Sequence, residues 1–190
     1  KIKHFVSKEA LNIEGLGKKV VEKFWELKFI RFPQDIFKLD YNKISKLDGW
    51  GNQSTSNLKY SIDQSKNVNL EKFIFSLGIR HIGAENAKLI GDYSINIKNF
   101  LDIINKKKIN QFINIDGIGE TQINSMNRFF KNKENLNIVY KLSDILNIKS
   151  RELNKKGKLN NQSFMFTGKL IDISRAEAKN LTEQNLGNIV

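Results

Sequence analysis

The residues Lys46-Leu47-Asp48-Gly49 form the string K-x-D-G. A lysine placed in this way could attack the α-phosphate of a nucleotide and carry the adenylyl group, provided a deep pocket lowers the pKa of its amine. Four residues make a weak motif. Cysteine chemistry is excluded, because the chain has no cysteine: neither a disulfide framework nor a thiolate metal site exists. Whether Lys46 is a nucleophile therefore depends on the elements that hold it.

Those elements repeat. ALNIEGLGKKVVEKF (10–24), ISKLDGWGNQSTSNL (44–58), FSLGIRHIGAENAKL (75–89) and FINIDGIGETQINSM (112–126) each place a glycine-bearing hairpin between two apolar helical segments. The closing glycines Gly17, Gly51, Gly83 and Gly119 are 34, 32 and 36 residues apart. Three hairpins read Gly-x-Gly, as Gly15-Leu16-Gly17, Gly49-Trp50-Gly51 and Gly117-Ile118-Gly119; in the third, His81 stands where the first glycine would be. After Gly119, Ile123, Met126, Phe129 and Phe130 make a helical apolar stripe, and Val20, Val21, Phe24 and Leu27 repeat it after Gly17. Pro33 starts a short linking helix. Strand signals are nearly missing before residue 160, so the body of the chain is expected to be all-helical. This register disposes of the nucleophile: Asp48-Gly49 occupies the hairpin position of Glu14-Gly15 and Asp116-Gly117, and Lys46 is expected on a short helix beside the turn.

The hydrophobic-x-Gly-x-Gly pattern between helices is that of the helix-hairpin-helix motif. Glycine permits positive φ and a close approach to the backbone. The unpaired N–H groups opening the second helix then face a phosphate, with the helix dipole behind them. Such contacts hold the sugar-phosphate backbone without reading bases. A formal charge of +12 agrees with a polyanionic partner. The charge is weaker support than it looks, because 27 of the 32 basic residues are lysine, a skew that an A·T-rich genome imposes through its codons. FIFSLGI is too short to span a bilayer and no signal peptide opens the chain, so no membrane role and a cytoplasmic location are expected. The first residue is Lys1, not Met, as expected of a piece of something longer.

HFVSKEALNIEGLGKKVVEKF, FSLGIRHIGAENAKLI and NIDGIGETQINSM together resemble the helix-hairpin-helix domain of bacterial NAD-dependent DNA ligases, with LGIRHIG the most diagnostic run. The resemblance covers residues 3–148. It assigns 1–148 to a mainly α domain of four tandem helix-hairpin-helix units, 149–162 to a basic linker and 163–190 to the start of a truncated α/β BRCT domain. In that piece FMFTG supplies a strand and turn, Ser174 caps the helix with Glu177 as capping-box partner, and Thr167 and Gly168 match the family's phosphate-pocket turn. The resemblance implies non-sequence-specific contact with nicked double-stranded DNA, in replication and repair, by a monomer in the bacterial nucleoid. DNA-facing positions are the hairpin residues Gly15, Leu16 and Gly17, then Gly49, Trp50 and Gly51, then Gly83, then Gly117, Ile118 and Gly119. Lys18, Lys19 and Arg80 add charge, Asn52 and Thr121 add neutral hydrogen bonds, and His81 sits in the third turn. NAD, Mg and Zn are implied for the whole enzyme but not for this segment, which has no adenylation domain and is expected to be inactive alone. Two alternatives stay open on the residues: the tandem module of a non-ligase repair protein, and a protein–protein scaffold whose hairpins are only turns.

Overall fold

Apolar stripes at helical spacing fold the chain as their period dictates. In the computed structural model, α2 (Lys18–Glu26) buries Val21 and Phe24, and α8 (Glu120–Lys131) buries Ile123, Met126 and Phe130. The structure describes residues 1–150, 158–159, 162–168, 170 and 175–190, with backbone only at 176, 177, 180, 183 and 184. The Ser174–Glu177 capping pair and most of the 149–162 segment lie outside the described residues. Two compact units are present, Lys1–Arg151 and Glu152–Val190.

The first unit also contains α1 (Ile2–Phe5), α3 (Tyr41–Ile44), α4 (Asn52–Ser65), α5 (Leu70–Ser76), α6 (Ala84–Ser94), α7 (Ile97–Asn105) and α9 (Lys133–Ile145). Short 3₁₀ segments occupy Pro33–Lys38 and Ile109–Asn114, with Pro33 opening the first. One continuous core fills the unit, and Phe5, Phe24, Phe73, Phe100 and Phe112 are its largest fully buried side chains. Three helices outside the hairpin exits start on side-chain caps. Asp40 Oδ1 accepts from the Asn42 and Lys43 amides, Asn96 Oδ1 from Asn99, and Asn132 Oδ1 from Glu134 and Asn135.

The expectation of an all-helical body needs one correction. Strand β1 (Asn67–Asn69) pairs in parallel with β2 (Asn147–Lys149), matching Val68 to Ile148. Asn147 N donates to Lys66 O at 2.8 Å and its side chain to Asn67 Oδ1 at 2.8 Å. Three-residue strands with a single buried residue, Val68, between asparagines have no readable period, and their pairing spans 80 positions. They tie the end of the unit to the joint between hairpins two and three. The incoming segments also differ from expectation: the first is a run of turns and the fourth is 3₁₀. Leu27 follows α2 as its C-cap and is exposed.

The second unit places β3 (Ser163–Phe164) parallel to β4 (Asn188–Ile189), with α10 (Arg175–Gln184) in the crossover between them. Ala178 and Thr182 are buried, while Met165 is exposed. Thr167 and Gly168 are exposed, Gly168 at φ +76, and the Arg175 guanidinium donates to its carbonyl at 2.8 Å.

Candidate nucleic-acid interface

The four hairpins are one structure repeated. In each, an apolar residue's carbonyl accepts from the apolar amide three residues on: Leu16 to Ile13 at 3.3 Å, Trp50 to Leu47 at 3.0 Å, Ile82 to Ile79 at 3.1 Å and Ile118 to Ile115 at 3.0 Å. The third position of each turn has positive φ: +85 at Gly15, +79 at Gly49, +63 at His81 and +89 at Gly117. The closing glycine is then extended and begins α2, α4, α6 or α8. The family of tight turns read from the sequence is therefore present, with His81 adopting the conformation that glycine takes in the other three.

This geometry sorts the expected site residues. Leu16, Ile118 and the half-buried Trp50 spend their amides closing the turn, and their side chains seal the core, with Trp50 against Phe24 at 5.6 Å. They hold the turn and offer no free donor outward. The donors lie at the start of the exit helices, whose glycine N-caps carry no side-chain acceptor. The N–H groups of Lys18 and Lys19, Asn52 and Gln53, Ala84 and Glu85, and Glu120 and Thr121 take no acceptor among the described residues. These are the orphan amides of a helix N-terminus, and they carry its positive dipole end.

The four closing glycines are not equivalent. Gly51 N donates to Ser54 Oγ at 3.0 Å and Gly119 N to Gln122 Oε1 at 3.1 Å, half of a capping box. Gly17 N and Gly83 N have no such partner among the described residues. Hairpins one and three therefore present one more free amide than two and four. The G-x-x-S and G-x-x-Q spacings, Gly51 to Ser54 and Gly119 to Gln122, are the sequence signal of this difference.

Hairpins pack in pairs. A Cβ on Gly15 would meet Leu58 Cδ1 of α4 at 3.4 Å, and Lys23 Nζ of α2 donates to Asp48 O at 3.1 Å, so the first two hairpins lock together. A Cβ on Gly117 would meet Leu89 Cδ1 of α6 at 3.2 Å, which joins the fourth to the third. Between the first two lies a cleft of about 930 Å³, lined by Gly15, Gly49, Asn57, Tyr60 and Gln64 among others. No sequence pattern announced Leu58, Leu89 or Lys23 in these roles, since each acts across the pairing.

Lys18, Lys19, Asn52, Arg80 and Thr121 are exposed, and none of them is in an ion pair among the described residues. Glu14, Asp48 and Asp116 are exposed too, and their carboxylates take no hydrogen bond from the hairpins. His4 is structural: its Nε2 and Phe75 O are 2.8 Å apart and its ring meets Phe75 edge-on. Among the described residues no group of three or more His, Cys, Asp or Glu side chains could hold a metal ion.

Lys46 lies in the turn just after α3, not on a helix, and it is exposed. Exposed there, its amine lacks the burial that would lower its pKa for nucleophilic attack. Incubated with NAD, the chain is expected to gain no AMP adduct by intact mass; an adenylated peptide containing Lys46 would contradict that.

A family model described as "Helix-hairpin-helix motif" matches residues 72–139, which hold hairpins three and four. Hairpins one and two share their geometry. The chain is 57% identical over 191 residues to the DNA ligase of Pelagibacter ubique (strain HTCC1062), covering 100% of this chain and 28% of that protein. It is 40% identical over 200 residues to the DNA ligase of Rickettsia bellii (strain RML369-C), covering 98% and 29%. Against that of Rickettsia massiliae (strain Mtu5) the identity is 41% over 200 residues, with the same coverage. The chain thus spans less than a third of the length of these curated relatives. Four matching turns and identity running through the whole chain place it in the DNA ligase family, as a helix-hairpin-helix portion of that larger protein.

Proposed function

We propose that this chain is the duplex-gripping portion of an NAD-dependent DNA ligase. Its hairpins hold the sugar-phosphate backbone across the minor groove, with no defined recognition sequence, while a longer protein seals nicks in replication and repair. Lysine adenylation by NAD, the Mg and Zn sites, and transfer of AMP to the 5′-phosphate belong to other parts of that protein. The reading includes a BRCT domain begun by residues 163–190, a monomer, and a place on the bacterial nucleoid.

One observation carries the reading. All four exit helices begin on an extended glycine that the fold does not require. A Cβ would meet nothing within 4 Å at Gly17, Gly51 and Gly83, and only Gln122 Oε1 at 3.5 Å at Gly119. Of the other helices in this unit, α3, α7 and α9 are capped by Asp40, Asn96 and Asn132, while α1 and α5 start without a side-chain cap. A glycine N-cap with no side-chain acceptor of its own, repeated four times, suits a phosphate that approaches the backbone closely. A scaffold whose hairpins were only turns would gain stability from Ser or Asp at these positions. Near-complete coverage by ligase relatives also disfavours a separate repair module.

Titration of random-sequence duplex at several salt concentrations tests the proposal. With about four to six phosphates met by charged side chains, log K against log salt should slope at roughly −4 to −5. Replacing Lys18 and Lys19 together by Ala should flatten it by up to about two units. A parent chain that fails to bind duplex at low salt would overturn the reading.

A further inference from the structure

The third hairpin departs from the other three in a way that the fold does not explain. Its turn has the same hydrogen bond, Ile82 N to Ile79 O at 3.1 Å, and the same extended closing glycine, Gly83. Yet the position at positive φ is His81, at +63, where glycine would sit without strain. The ring is exposed and takes no hydrogen bond among the described residues. Its backbone is held, because Asn86 Nδ2 donates to His81 O at 3.1 Å. An unfavourable conformation kept in place by a neighbouring side chain, for a ring that serves no packing, points outward for its use.

The residue before it inverts the charge of its counterparts. Hairpins one, two and four carry Glu14, Asp48 and Asp116 ahead of a glycine, so they present an acid and no second side chain. Hairpin three presents Arg80, exposed and paired with no carboxylate among the described residues, followed by His81. Three turns thus carry a single acid beside a glycine, and one extends two adjacent donor side chains. The minor-groove floor offers the acceptors A N3 and T O2, whereas a G·C pair adds an amino donor there. Narrow A·T-rich grooves also concentrate negative potential and attract inserted Arg and His.

We infer that the third hairpin enters the minor groove with Arg80 and His81, and that this gives the chain a preference for A·T-rich over G·C-rich duplex. The inference rests on the duplex-gripping reading above and adds to it a side-chain contact where the other hairpins use backbone.

Two duplexes of equal length, one with an A·T-rich centre and one with a G·C-rich centre, are titrated with the 190-residue chain. The parent should bind the A·T-centred duplex about fivefold more tightly, the lower end of what a base contact contributes. Arg80→Gln and His81→Gly should each reduce that ratio, and together bring it near one. His81→Gly should melt no lower than the parent, because glycine adopts this φ freely, so its effect is not unfolding. A parent ratio of one, or a ratio that survives in the double variant, would overturn the inference. Failure of the parent to bind either duplex would instead overturn the duplex-gripping reading itself.

Discussion

Gly117→Val is expected to weaken duplex binding by at least about tenfold while also lowering stability by about 2–3 kcal/mol, because the same backbone position serves both. At φ +89 Gly117 occupies a region from which a β-branched residue is excluded by its own backbone. Any Cβ there would meet Leu89 Cδ1 at 3.2 Å, so the turn cannot relax without pushing on α6. Relief by rotation of the peptide would break the Ile118 to Ile115 hydrogen bond of 3.0 Å and swing the Glu120 and Thr121 amides away from their common direction. Chemical denaturation and duplex titration of the same preparation separate the two effects. Loss of stability with full affinity would mean that the fourth hairpin is structural only. The pairing with Leu89 further implies that the third hairpin is disturbed as well, so the loss should exceed that of a variant confined to one turn.

Much of this architecture was legible because it repeats. Four closing glycines at near-constant spacing, three of them preceded by a second glycine and each followed by a helical stripe such as Ile123, Met126 and Phe130, fixed the hairpins and their exit helices. The same register removed Lys46 from consideration, although it lies in a turn and not on the expected helix. What could not be read depends on long-range contact. Gly15 meets Leu58 and Lys23 reaches Asp48 O only after the hairpins have paired. The β1–β2 pair joins segments 80 positions apart through residues without β-pattern. For Leu16, Trp50 and Ile118 the reason differs: Gly-x-Gly places the middle residue in the turn by sequence, and only the folded turn shows its amide directed inward to close it.

Hairpins one and three allow binding to be separated from folding. Gly17 has φ −63 and Gly83 has φ −79, both ordinary for alanine, and a Cβ at either meets nothing within 4 Å. The loss of a slightly better N-cap and the gain from a less flexible unfolded chain are each below about 1 kcal/mol and oppose one another. The most direct test of the central claim is therefore the duplex affinity of the Gly17→Ala, Gly83→Ala double variant at low salt, beside its melting temperature. The phosphate-gripping account predicts an affinity about tenfold below the parent, with a melting temperature within a few degrees of it. Unchanged affinity in a variant that folds as well as the parent would contradict it, because a methyl group would then occupy the space reserved for phosphate at no cost to binding.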